Sequence, residues 1–159
     1  VRVKKRSWKM TFKLSEKSLM CMKGVNQDLI SVVTLAITLS KVDFAVVEGM
    51  RSKDRQADLY KRGLSKTMNS KHLVGEAVDL AVFKDGKPSW DWEDYYLLAD
   101  SMKEAAVKLG VSVRWGGCWD KPINKFTETS KVECYAYSAR QKAKKLTPFL
   151  DGPHFEIVK

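Results

Sequence analysis

Within the run from Ser15 to Phe44, apolar residues fall at Leu29, Val32, Val33, Ala36 and Ile37, and Ser40 continues the spacing. Steps of three and four place these positions on one face of a buried helix, with Asn26 available to cap its start. Asp43–Gly49 is short, β-branched and bounded by glycine, the pattern of a strand. Ser52–Arg62 returns to a helix that stops at Gly63, and residues Leu64–Lys71 read as a polar loop. Glu76–Phe83 (EAVDLAVF) is apolar enough to be an interior strand, followed by a turn at Asp85-Gly86 into Lys87-Pro88. Trp92, Tyr95, Tyr96, Ala99, Met102 and Ala106 form the stripe of a long helix ending at Gly110. Short strands are predicted at Val111–Trp115 and Pro153–Val158. Residues 116–150, rich in Lys, Thr and Ser, show no clear period. They are expected to form a long surface excursion with a short helix near Tyr137–Lys145, a length of chain that often serves as a lid or binding loop.

These elements fit one domain of 159 residues with 44% apolar content. The expected organisation is a basic arm over residues 1–11 followed by a single domain over residues 12–159. There is no internal repeat or Pro-rich or Gly/Ser-rich linker. The longest apolar-rich segment, Leu29–Leu39, is interrupted by Ser31, Thr34 and Thr38 and falls short of the roughly 20 residues that cross a bilayer. A soluble protein is therefore expected, and the basic start lacks the apolar stretch of an export signal. Three cysteines, Cys21, Cys118 and Cys134, show no CxxC spacing and are read as reduced thiols. The net charge of +10 favours polyanionic surroundings. Because no nucleic-acid-binding signature accompanies it, a nucleic-acid partner is not expected.

The scarcest residue defines the chemistry. The two histidines are His72 and His154, and any reaction needing imidazole must use them. Asp79 lies in the centre of the apolar strand, where an isolated carboxylate is costly unless paired or bound to a metal. His72 precedes it by seven positions, ahead of a turn-forming Gly75. In the last strand, alternation puts His154 and Glu156 on one face and Phe155 and Ile157 on the other. Two imidazoles and a carboxylate match a catalytic zinc site with an open position. From spacing alone, a capping histidine and an aspartate paired with a lysine or arginine remain equally open readings.

The wider pattern resembles a known group. Ser70-x-His72-x-x-Gly75-x-Ala77-x-Asp79, then Trp115-Gly116-Gly117 and Asp151-x-Pro153-His154-Phe155-Glu156, is similar to the zinc D-Ala-D-Ala carboxypeptidase group, which is classed with lysostaphin-type enzymes and the hedgehog signalling domain. Glu48-Gly49-x-Arg51-Ser52-x-x-x-Gln56 is similar to the same group's arginine motif. Within the group, the strongest resemblance is to phage endolysins that act as L-alanyl-D-glutamate peptidases.

The resemblance implies an α+β fold: helices on one side of a small, mainly antiparallel sheet, with a zinc cleft on the other. It implies one Zn²⁺ per chain held by His72, Asp79 and His154. Asp151 would be the general base and acid, and Arg51 would stabilise the oxyanion. Ser70 and Gln56 are candidates for substrate contacts, and Glu156 for orienting a ligand from behind. Trp115 and Trp119 are open between cleft and core. Asp120, Asn124, Glu128 and Glu133 lack the dense acidic spacing of a calcium loop, so calcium dependence is not predicted.

The implied activity is hydrolysis of a peptidoglycan stem peptide, at L-Ala–D-Glu, by a monomer. Such an enzyme would accumulate in the bacterial cytoplasm and reach the wall through a holin-type lesion, without stable membrane insertion. The rivals are the same chemistry on D-Ala–D-Ala and a non-catalytic zinc module that binds the wall or a protein.

Overall fold

The computed structural model describes residues 11–159, so the basic arm expected over residues 1–11 falls, apart from Thr11, outside the described residues. The buried helix expected after Asn26 is present, and a further short helix precedes it. Ser15 caps α1 (Glu16–Cys21), the chain turns through Gly24 at φ +82°, and Asn26 then caps α2 (Gln27–Leu39) by accepting the Asp28 and Leu29 amides. β1 (Asp43–Glu48) follows, pinned to α1 where its Val46 amide donates to Ser18 Oγ at 3.0 Å. Ser52 caps α3 (Lys53–Lys61). β2 (Ala77–Lys84) turns through Asp85 and Gly86, both at positive φ, into β3 (Lys87–Ser89). That is the turn chemistry a tight hairpin requires. β3 is an addition to the expected elements, too short and too proline-marked to show as a strand in sequence.

α4 (Trp92–Leu109) is capped by Asp91 and ends at a left-handed Gly110. After it come β4 (Val113–Trp115), α5 (Ser130–Ala143) and β5 (His154–Ile157). The sheet runs β1-β2-β5-β4, with β3 also paired to β2, and every pairing is antiparallel. Strand alternation separates its faces. Val78, Leu80, Val82, Phe155 and Ile157 join the apolar faces of α2 and α4 in the core, while Asp79, His154 and Glu156 are carried on the other face. The expected α+β architecture is thus present.

Residues 116–150 depart from the expected surface excursion. Cys118, Ile123, Phe126, Cys134 and Tyr137 are buried in the main core, and α5 starts seven residues before the helix foreseen there. The buried positions of α5 are Ser130, Glu133, Cys134 and Tyr137. Their spacing is helical, but two of the four are polar, so no hydrophobic period marks them.

Glu133 shows how a charge is accommodated in that layer. Its carboxylate accepts the Thr127 and Glu128 amides at 3.0 and 3.3 Å and meets Lys121 Nζ at 2.6 Å. Burial alone would raise its pKa. Lys121 and the two amides outweigh burial and hold it below the ordinary 4.5. A carboxyl whose pKa is lower folded than unfolded stabilises the fold above pH 4.5, and that stabilisation disappears as pH falls through the folded value. Glu133→Gln is therefore expected to cost about 1–3 kcal/mol at pH 7. The gap between variant and parent in denaturant titrations should close under acid conditions. An unchanged gap at pH 3 would contradict this assignment.

Candidate active site

Register brings the polar face together. Asp79 on β2 lies opposite His154 on β5 and, across a bulge on the other side, opposite Glu48 on β1. His72 arrives from a short 3-10 turn, Lys71–Val74, in which the His72 amide donates to the capping Ser70 Oγ and whose end is a left-handed Gly75. A side chain at Gly75 would collide with the Gly24 carbonyl, so the close approach of the two loops also requires glycine.

Hydrogen bonds settle which imidazole nitrogen faces the cluster. His72 Nδ1 lies 2.8 Å from the Gly49 carbonyl, which can only accept, so Nδ1 carries the hydrogen and Nε2 presents a lone pair. His154 Nε2 likewise donates to Glu156 at 2.9 Å, which leaves Nδ1 as the free nitrogen. Both free nitrogens stand 3.3 Å from Asp79 Oδ1, and the three ligand atoms lie within 4.8 Å of one another. Two lone pairs aimed at a carboxylate oxygen repel one another unless positive charge sits among them. His72 Nε2 is moreover buried without a hydrogen-bond partner. In the protein alone a proton takes that role. Burial lowers the His154 pKa, but hydrogen bonds to Asp79 and Glu156 override it and raise the value to about 9. Asp79, despite burial, is held well below the usual carboxylate range by the two imidazoles. Two neutral nitrogens and one carboxylate on such a spacing also suit a divalent metal, and the orientation of each ring by a second acceptor is what metal-ligating histidines show.

Arg51 and Asp151 flank the cluster. Arg51 is buried, donating Nε to Glu48 at 2.8 Å and Nη1 to Gln56 at 2.6 Å, with Nη2 3.6 Å from Asp79. Glu48 also binds Arg55 at 2.7 Å; burial would raise its pKa, and the two guanidinium groups bring it down. Asp151 is fixed by its backbone: its amide donates to the Gly116 carbonyl, and its own carbonyl accepts from the His154 amide. Gly116 must be glycine, because a Cβ there would strike the Asp151 carbonyl. Glu48, Arg51, His72, Asp79, Asp151, His154 and Glu156 all open onto one cleft of about 510 Å³.

Known proteins place this geometry. The model of the family described as phage L-alanyl-D-glutamate peptidase matches residues 10–158. The chain belongs to this family. It is 31% identical over 115 residues to the L-alanyl-D-glutamate peptidase of Escherichia phage T5, covering 70% of this chain and 84% of that one. It is also 31% identical over 93 residues to the peptidoglycan L-alanyl-D-glutamate endopeptidase CwlK of Bacillus subtilis, covering 50% of this chain and 56% of the relative. Its fold is similar to the crystal structure of the Serratia marcescens L-Ala D-Glu endopeptidase ChiX, with a TM-score of 0.70, 32% identity, and coverage of 93% of this chain and 91% of that one. The resemblance carried by these sequence motifs is borne out, and a peptidase is favoured over a non-catalytic module.

In this family member, most residues singled out in sequence meet at the cleft. Ser70 lines it while capping the His72 turn. Glu156 does stand behind His154, and also faces Arg114 at 3.7 Å. Gln56 differs from the expected substrate contact. It is 0% exposed, and its amide nitrogen is engaged by Ser65 Oγ and the Thr67 carbonyl, so it acts behind Arg51 as a support. Trp115 is core, its indole N–H donating to the Gly152 carbonyl at 2.7 Å and so holding the Asp151 turn. Trp119 lines the cleft, stacked on His154. Glu48, which opens the arginine motif but was given no role of its own, also lines it, as do Lys66 and Phe149, which went unremarked in sequence because neither sits in a motif or period. The cysteines are free. Burial, then the hydrogen bond to Asp120, pushes the Cys118 thiol up to about 12, which suits an unreactive structural residue.

Proposed function

We propose that this peptidase hydrolyses the L-Ala–D-Glu bond of the peptidoglycan stem peptide, with one zinc ion held by His72 Nε2, Asp79 and His154 Nδ1. The observation that carries the reading is the pair of imidazole nitrogens converging on Asp79, in a cleft that also holds Asp151 and Arg51. Bound zinc would act as a Lewis acid, polarising the scissile carbonyl and making water nucleophilic at neutral pH. Asp151, anchored between Gly116 and His154, takes a proton from the attacking water and returns one to the departing amine. Arg51 has guanidinium hydrogens beyond those given to Glu48 and Gln56, and these meet the carbonyl oxygen as it gains charge. Glu156 keeps the His154 ring in one tautomer and orientation.

No helix among the described residues is long and apolar enough to cross a membrane. We place the enzyme in the host cytoplasm as a monomeric endolysin that reaches the wall through a holin-type lesion. Its net charge of +10 would hold it on the anionic envelope.

Digestion of purified muropeptides tests the choice of bond. New D-Glu amino termini are expected. Release of free D-Ala without them would overturn the assignment in favour of D-Ala–D-Ala chemistry.

A further inference from the structure

The floor of the cleft is acidic. Glu48, Asp79, Asp151 and Glu156 all line it, and an acidic peptide entering it meets repulsion unless a cation stands nearby. The cations lining it are Arg51, Lys66 and Lys71. Arg51 is bound to Glu48 and Asp79, and Lys71 to Glu76 and the Ile157 carbonyl. Among the described residues, Lys66 is the lining cation that meets no carboxylate within salt-bridge distance.

Lys66 is also held in place. The residues on either side of it, Ser65 and Thr67, are both tied to the buried Gln56 amide, at 2.8 and 2.6 Å. Its ammonium lies 4.7 Å from the centre of the Phe149 ring, Phe149 stacks on Trp119 at 5.7 Å, and Trp119 stacks on His154 at 5.3 Å. A layered aromatic wall thus runs from a metal-cluster imidazole to a cation. The ring face attracts the ammonium without using its N–H donors as a carboxylate would, so they stay available to a substrate.

We propose that Lys66, seated on Phe149 and Trp119, is a specificity-determining residue that binds a carboxylate on the leaving-group side of the substrate. The proposal rests on the stem-peptide reading above. In that peptide the D-Glu is joined onward through its γ-carboxyl, so its α-carboxylate stays free beside the scissile amide. A second candidate is the carboxylate at the peptide's C-terminus.

The test compares kcat/KM for three synthetic L-Ala–γ-D-Glu–L-Lys–D-Ala peptides: one with all carboxylates free, one with the D-Glu α-carboxamide, and one with a C-terminal carboxamide. The parent enzyme should prefer the free peptide over one of the two amides by about tenfold, which identifies the carboxylate bound. Lys66→Met, which keeps the aliphatic stem, should lose about tenfold on the free peptide and little on that amide. Lys66→Arg should retain the preference, and Phe149→Leu should weaken it. Equal losses on all three peptides in Lys66→Met, or a parent indifferent to both amides, would overturn the assignment of Lys66. Failure of the parent to expose a D-Glu amino terminus on any peptide would instead overturn the underlying choice of bond, and the assignment with it.

Discussion

Asp151→Asn is expected to lower kcat by about 10²–10⁴-fold, the range supplied by a positioned general acid or base, while leaving the fold and metal content unchanged. Asparagine has the shape of aspartate and can keep its place in the turn, which is built from backbone groups. The Asp151 amide donates to Gly116, the Gly116 amide donates to the His154 carbonyl, and Trp115 holds the Gly152 carbonyl. None of these contacts uses the Asp151 carboxylate. The proton-accepting oxygen is what the substitution removes. Burial first, and the nearby Asp79 charge second, raise the Asp151 pKa from its ordinary value, the direction in which a carboxylate becomes a better base. Steady-state kinetics on purified muropeptides, with zinc content measured on the same sample, would check this. Activity within a few-fold of the parent would remove Asp151 from the proton transfers and leave it as a turn residue.

The parts of this site that were legible in sequence are those where backbone geometry and chemistry coincide. Gly75 is needed for a left-handed turn against Gly24, and Gly116 for the approach to Asp151, so the glycines beside the histidine and aspartate motifs are steric requirements visible as letters. Strand alternation likewise put His154 and Glu156 on one face before any coordinates. Gln56 was visible as a motif member, but its burial was not. Only the packing of α3 against the polar loop shows that its amide is spent on Arg51, Ser65 and Thr67. Lys66 and Phe149 are far apart in the chain and ordinary in their surroundings, so nothing short of tertiary structure brings them together. The same holds for α5, whose buried stripe includes Ser130, whose amide donates to Asp100, and Glu133, whose carboxylate is met by Lys121 and two loop amides. Polar groups with tertiary partners carry no hydrophobic signal.

If zinc is held as proposed, it should stabilise the fold as well as support catalysis, because the three proposed ligands come from separate parts of the chain: a 3-10 turn, β2 and β5. A ligand that binds only the folded state stabilises it in proportion to the logarithm of its concentration over Kd, about 4 kcal/mol at a thousandfold excess. For a chain of this size that corresponds to a rise in Tm of roughly 10 °C. Treatment with a chelator should reverse the rise and abolish lysis of outer-membrane-permeabilised cells, and restored zinc should recover both. Asp79→Ala supplies the control. It removes the carboxylate to which both free imidazole nitrogens turn, so its Tm should not respond to zinc. His154 would still be held by Glu156, and His72 by the Gly49 carbonyl. The variant's folded baseline should therefore stay measurable, which separates loss of metal from loss of fold. A parent whose Tm and activity are both indifferent to complete removal of zinc would defeat the metal reading. The cluster would then be a carboxylate paired with His154 beside a second buried imidazole.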